Sequence, residues 1–317
     1  PMAISYPKNR IHVLLLENIH QDAVSMFKKE GYMIETLSKD LSEDELAEKI
    51  KNVSILGIRS KTKITGKILD NAKRILAIGV FSVGIDKVDI TRCSKKGVVV
   101  FNAPYGNTRS VVELAIGEII MLMRNVFDKG VKLHNGVWDK SAANSFEIRG
   151  KKLGIIGYGN IGSQLSILAE ALGMDVYYYD VIERLALGNA KKCKSLAELL
   201  KKSDVISLHT TASTNNQPLV GEKEFKLMKD GAIFLNLSRG SLVDIEALVK
   251  YIKNGKIRGA GIDVFPKEPK SNAEEFVSEL RNLPNVILTP HIGGSTEEAQ
   301  KNIAEFVSCK IIDYINN

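Results

Sequence analysis

Three residues in the second half of the chain are of types that act on alcohols and carboxylates, and each stands just after an apolar run. His291 follows Val286–Leu288 through Thr289-Pro290, Glu268 lies in the stretch Asp263–Pro269, and Arg239 sits within Asn236–Gly240. An arginine can clamp a carboxylate through two parallel hydrogen bonds. A histidine titrates in the range needed to take a proton from an alcohol near neutral pH. A glutamate bonded to its second ring nitrogen would fix the ring and favour the charged form. Together they suit hydride removal from a 2-hydroxy carboxylate. Each of the three, taken singly, also fits a structural role. Their joint occurrence after a nucleotide motif is what favours the chemical reading.

That motif is Gly157-Tyr158-Gly159-Asn160-Ile161-Gly162. It follows the apolar run Leu153–Ile156 and opens a helical pattern. Its glycines permit a tight turn, close approach of backbone to a pyrophosphate, and close helix–strand packing. Asp180 stands about 20 residues further on, where a carboxylate can accept ribose hydroxyls of NAD and repel the extra phosphate of NADP. On the motif alone FAD fits as well, but its mid-chain place after a separate α/β unit favours NAD. His209 ends the run Val205–Leu208 and borders the same cofactor. It has no acid close in sequence, which makes it a poor choice of base. Asp263 is counted with the cofactor-binding residues. His12, His20 and His134 read as ordinary structural or surface residues, and no group of His, Cys and carboxylates has the spacing of a metal site.

These groups need rigid elements to hold them. Residues 11–16, 53–58, 75–80 and 98–101 read as strands, with a helix over 21–29 and a capping box from Ser42 to Glu45. A long helical pattern runs from Thr108 toward Arg124, with Ala115, Ile119, Leu122 and Met123 facing inward and Gly117 placed for close packing. The stretch Lys129–Arg149, with the single tryptophan Trp138, reads as a polar linker. Six further strand-like runs (153–156, 176–179, 205–208, 232–237, 260–264, 286–288) alternate with helical ones (161–172, 196–201, 222–228, 245–253). A terminal helix covers 296–315. The fold class is α/β, with two Rossmann-like doubly wound domains.

The 317 residues suffice for about two domains. With 44% hydrophobic and 26% charged residues, the composition is that of a folded globular protein. No run offers the ~20 clean apolar residues of a membrane span. Lys8 and Arg10 precede only the short run Ile11–Leu16, without a cleavage signature, and Cys93, Cys193 and Cys309 are too scattered for a disulfide framework. A reducing cytoplasm is the expected location. The net charge of +7 comes from 44 Lys and Arg against 37 Asp and Glu. The basic residues are diluted by acids, so no nucleic-acid partner is expected, while a positive potential suits phosphorylated acids and dinucleotides.

The chain resembles the D-isomer-specific 2-hydroxyacid dehydrogenases over nearly its whole length. The resemblance rests on Gly57-Ile58-Arg59-Ser60, Asn102-Ala103-Pro104, Asn107-Thr108-Arg109-Ser110-Val111 and Gly150–Gly159. It continues through Ser238-Arg239-Gly240, Asp263-Val264-Phe265-Pro266 and Pro290–Thr296. It implies His291 as acid–base catalyst, Glu268 as its partner, and Arg239 on the substrate carboxylate and its hydroxyl or carbonyl oxygen. It further implies that backbone amides of Ser82-Val83-Gly84 hold the carboxylate. Within the family the likeness is greatest to members acting on a phosphorylated acid, in which Lys39, Arg59, Ser60, Lys61 and Asn107 line the substrate side. Bacterial members of that branch often carry a C-terminal serine-binding regulatory domain, and a chain without it is the expectation. The resemblance also implies a substrate-binding domain of residues 1–104 and 293–317 around an NAD-binding domain of 105–292. It implies a homodimer in which Trp138 reaches the adjacent subunit and Lys140 lies near that subunit's active site. Thr211 stands where many members have proline, which implies an altered adenine-side pocket. Two alternatives remain at this stage: a dehydrogenase for another D-2-hydroxy acid, such as glycerate, hydroxypyruvate or 2-hydroxyglutarate, and an NAD-sensing corepressor without turnover.

Overall fold

Aliphatic runs that are buried on both faces form parallel strands, because crossover helices cover each side of the sheet. The computed structural model describes residues 7–211, 217–269 and 271–317. In it the chain divides into two units, Pro1–Asn107 with Ser295–Asn317, and Thr108–Gly294. Both are Rossmann-like.

The first unit holds β1 (His12–Leu15), β2 (Met33–Thr36), β3 (Ile55–Ile58), β4 (Ala77–Val80) and β5 (Val99–Phe101), all parallel, in the order β2-β1-β3-β4-β5. One face packs Leu14, Leu56 and Ile78 against Leu46, Ile50 and Ile68. The other packs Val13, Leu15, Ile55 and Ala77 against Phe27 and against Ile303, Val307 and Ile311 of the terminal helix Glu297–Asn316. The strand order reverses between β1 and β3, which lead into Glu17 and Arg59.

The second unit holds β6 (Lys152–Ile156), β7 (Asp175–Tyr179), β8 (Lys191–Lys192), β9 (Val205–Leu208), β10 (Ala232–Asn236), β11 (Ile257–Ile262) and β12 (Val286–Leu288). These are parallel in the order β12-β11-β10-β9-β6-β7-β8, with the reversal between β6 and β9. Helix Thr108–Arg124 covers one face through Val111, Val112, Ala115, Ile119, Leu122 and Met123. Helix Ile245–Lys253 lies on the other, with Leu248, Val249 and Ile252 in the core.

Several elements depart from the sequence reading. Part of the expected polar linker is helix Val126–His134, which has no buried residue. Strands β2 and β8 and the short helices Gly66–Asn71 and Ile90–Lys95 are additions. A Cβ at Gly117 would meet nothing within 4 Å, so this glycine is not there for close packing. The capping box is formed: the Glu45 N–H donates to Ser42 Oγ at 3.3 Å, and the Ser42 N–H donates to Glu45 Oε2 at 2.9 Å. No helix among the described residues is long and apolar enough to cross a membrane.

Candidate active site

The turn after β6 meets the end of β9 at the sheet's switch point, where doubly wound sheets take their ligands. Gly157 has φ +93°, and a Cβ there would overlap the His209 carbonyl. A Cβ at Gly162 would overlap the Gly157 carbonyl, whereas Gly159 faces open space. Only glycine allows both approaches, and the opening at Gly159 leaves room beside the first turn of helix Asn160–Ala171. Asp180, at the end of β7, accepts the Tyr158 N–H on Oδ2 (2.8 Å) and the Ile182 N–H on Oδ1 (2.9 Å). Each carboxylate oxygen retains acceptor capacity. Asp180 lines a cleft of about 540 Å³ with Tyr179, Val181, Lys192, Cys193 and Lys194. Arg184 Nε lies 3.9 Å from its Oδ2. A glycine cradle with an adjoining carboxylate and cationic cleft fits a dinucleotide.

Two members of the expected cofactor set sit differently from the simplest reading. The Tyr158 ring is buried, stacks on Tyr178 at 3.8 Å between centroids, and donates its hydroxyl to Ser166 at 2.9 Å. Its side chain belongs to the core, and its N–H alone serves the turn. The Ile161 side chain likewise packs on that core. His209 Nε2 lies 2.7 Å from Ser207 Oγ, and Nδ1 has no partner among the described residues. Burial pushes its pKa down to about 4, so the ring is neutral, with Nδ1 buried and unpartnered among the described residues at the end of β9.

The second cluster gathers at the ends of β10, β11 and β12. His291 Nδ1 lies 3.0 Å from Glu268 Oε2, with 51% and 36% of the two side chains exposed. This bond is the chief cause that raises the histidine pKa above its ordinary 6.5. For Glu268, burial works upward, but the His291 bond and charge, the Phe265 N–H and the Arg239 charge outweigh it and hold the carboxyl low. Arg239 acts on both groups electrostatically and donates Nη1 to the Ser238 carbonyl at 2.9 Å. A Cβ at Gly240 would overlap the Phe265 backbone, so glycine lets the arginine turn close on the Glu268 loop.

Asp263 does more than the sequence reading gave it. Its Oδ1 accepts from Thr289 Oγ1 (2.6 Å) and the Ile292 N–H (2.8 Å), and its Oδ2 accepts from the Gly293 N–H (2.8 Å). These bonds bracket His291, whose backbone is left-handed at φ +54°. The cluster therefore pairs a cationic clamp with a histidine whose proton affinity is set by a carboxylate. That is equipment for moving a proton on and off an oxygen beside an acid group.

Residues 116–293 match the family model "D-isomer specific 2-hydroxyacid dehydrogenase, NAD binding domain". The D-3-phosphoglycerate dehydrogenase of Dictyostelium discoideum is 51% identical over 313 residues, which cover 99% of this chain and 77% of the relative. That of Haemophilus influenzae is 50% identical over 315 residues, with the same coverage. The D-lactate dehydrogenase of Aquifex aeolicus, solved with NAD and lactic acid, superposes with a TM-score of 0.83 at 28% identity and covers 96% of this chain and 95% of its own. The chain belongs to the D-isomer-specific 2-hydroxyacid dehydrogenase family.

In this dehydrogenase the other expected substrate-side residues lie in the first unit. The Ser82 carbonyl accepts the Ala103 N–H (3.1 Å), Ser82 Oγ donates to the Gly84 carbonyl (3.0 Å), and the Val83 carbonyl accepts from Asn102 Nδ2 (2.7 Å). No acceptor among the described residues takes the N–H of Val83 or Gly84. Asn107 immediately precedes helix Thr108–Arg124. Lys39, Ser60 and Lys61 are exposed and Arg59 half-buried. Sequence reasoning missed Glu17, which binds the Arg59 loop, and Glu118, buried beneath β11. An acid at a strand end and an acid inside an apolar helical stripe were the available signals.

Proposed function

We propose that this dehydrogenase oxidises D-3-phosphoglycerate at C2 to 3-phosphohydroxypyruvate with NAD, the opening step of serine biosynthesis. The observation that carries the reaction class is the His291–Glu268 pair beside Arg239. Bound NAD supplies the hydride acceptor. His291, neutral above its raised pKa, takes the hydroxyl proton, and Glu268 stabilises the imidazolium that results. Arg239 holds the carboxylate, a role that the family resemblance extends to the amides of Val83 and Gly84. Lys39, Arg59 and Lys61, with Ser60 and Asn107, read the phosphate, which carries nearly two negative charges at neutral pH. The resemblance in sequence to D-3-phosphoglycerate dehydrogenases supports that choice over D-glycerate or 2-hydroxyglutarate, acids the same Arg239–Glu268–His291 set would serve. Asp180 supports NAD over NADP, because its carboxylate repels a 2′-phosphate. A homodimer and a cytoplasmic location complete the proposal.

The test is a panel run in both directions. Phosphohydroxypyruvate should exceed hydroxypyruvate in kcat/KM for reduction, and D-3-phosphoglycerate should exceed D-glycerate in oxidation. NAD should exceed NADP by about tenfold or more. Equal use of the phosphorylated and plain acids would leave a general D-2-hydroxyacid dehydrogenase as the better reading.

A further inference from the structure

We propose that Glu17 is the positioning residue of the cationic loop, fastening Lys39, Arg59 and Lys61 in the arrangement that reads the phosphate; this rests on the substrate reading above. In the first unit the strand order reverses between β1 and β3, so the chain segments leaving those two strands frame that sheet's ligand crevice. The segment after β1 carries Glu17, and the one after β3 carries Arg59. Glu17 is 7% exposed. Its Oε2 accepts the N–H groups of Arg59 (2.7 Å) and Thr62 (3.3 Å), and its Oε1 accepts that of Lys61 (2.7 Å). Its carbonyl accepts Arg59 Nη1 at 3.3 Å, and its own N–H donates to the Lys39 carbonyl at 3.2 Å.

One residue is thus bonded to all three cationic residues. It uses main-chain groups of the two lysines and does not engage their ammonium groups. The arrangement requires left-handed backbone at both Glu17 (φ +61°) and Asn18 (φ +53°), a conformation uncommon for residues with side chains. Three N–H groups converging on one point form the kind of nest that cradles anions. Here the nest is filled by Glu17. Those three N–H groups are therefore spent, and recognition of a phosphate falls chiefly to side chains, whose placement depends on the Glu17 anchor. Aspartate is one methylene shorter and falls short of the span. Glutamine keeps one acceptor but turns an amide NH2 toward N–H donors, leaving at least one unsatisfied.

Wild type and Glu17→Gln would be compared in reduction, with NADH and either phosphohydroxypyruvate or hydroxypyruvate. The variant should raise KM for phosphohydroxypyruvate about tenfold. Its kcat, its KM for NADH and its kcat/KM for hydroxypyruvate should stay within about twofold. A general loss of fold would instead depress kcat with both substrates alike, and that outcome, or an unchanged KM, overturns the proposal. Wild type using both substrates equally would overturn the substrate reading instead. The anchor is then judged by amide hydrogen exchange of residues 59–62, which Glu17→Ala should accelerate about tenfold or more. Unchanged exchange there overturns the anchoring role, and Glu17→Gln serves for this measurement should the alanine variant fail to fold.

Discussion

His291 occupies backbone space that a residue with a side chain enters at a cost of about 1–3 kcal/mol, and the three bonds from Asp263 hold it there. The position of the ring is therefore imposed by the turn, while its proton affinity is imposed by Glu268. The affinity has a clear experimental signature. Oxidation needs the neutral ring, so kcat/KM in that direction should rise with pH through the raised histidine pKa. Glu268→Gln removes the leading cause of the upward shift, so the rise should move to lower pH, and the fall of the reductive reaction should move with it. Superimposable pH profiles would sink the pairing. His291→Ala should cut turnover by about 10²–10⁴ with NAD binding nearly unchanged. His291, Glu268 and Arg239 were legible because all three follow apolar strand-like runs downstream of a nucleotide motif, a combination that no single one of them carries. The second duty of Asp263 was not, because no spacing in the sequence shows which carboxylate will accept the amides of the turn that follows the neighbouring strand.

Helix Thr108–Arg124 shows where element-level reading succeeds and where it stops. Its bounds and its apolar face follow from period alone, since Ala115, Ile119, Leu122 and Met123 return every turn. Glu118 lies in the same stripe, 2% exposed, with neither carboxylate oxygen hydrogen-bonded among the described residues and its carboxyl over Gly261. Burial, aided by the Asp263 charge, raises its pKa from 4.5 to about 8. Between those values the unfolded chain has lost the proton that the folded chain keeps, so folding stability should decline as pH rises from about 4.5 to about 8 and level off beyond. Glu118→Gln should flatten that slope and be the more stable protein at pH 8. Parallel slopes in denaturant titrations of the two would refute the assignment. Helix Val126–His134 escaped the sequence reading for the opposite reason. Val126, Phe127 and Val131 recur at helical spacing, but Asp128, Lys129, Lys132 and His134 between them made the stretch read as polar, and in the fold no residue of this helix is buried.

At the scale of the molecule, that helix is the observation behind the proposed homodimer. Val126, Phe127, Val131 and Leu133 are each 44–55% exposed, with Val137 at 52% and Trp138 at 77%. An apolar surface with a lone indole is what a self-complementary interface needs as its anchor. Sedimentation at micromolar concentration should give a dimer for the wild type, and Trp138→Ala should weaken association by about 2 kcal/mol. A monomeric wild type would refute the assembly. The alternation of strands and helices made two doubly wound sheets legible from the sequence. It could not reveal strand β2, an edge strand of four residues with none buried, because a partner on one side alone leaves little apolar pattern to read.

The return of the terminal helix to the first unit sets an order on folding during synthesis. Residues 108–294 form one uninterrupted unit and can fold as soon as they leave the ribosome. The first sheet emerges earlier, yet the face of Val13, Leu15, Ile55 and Ala77 stays only partly covered, by Phe27 and its helix, until Ile303, Val307 and Ile311 arrive. The part of the chain made first should therefore be finished last. Pulse-labelling hydrogen exchange on stalled nascent chains should find β6 and β9–β11 protected while β1, β3 and β4 still exchange, and simultaneous protection would count against it.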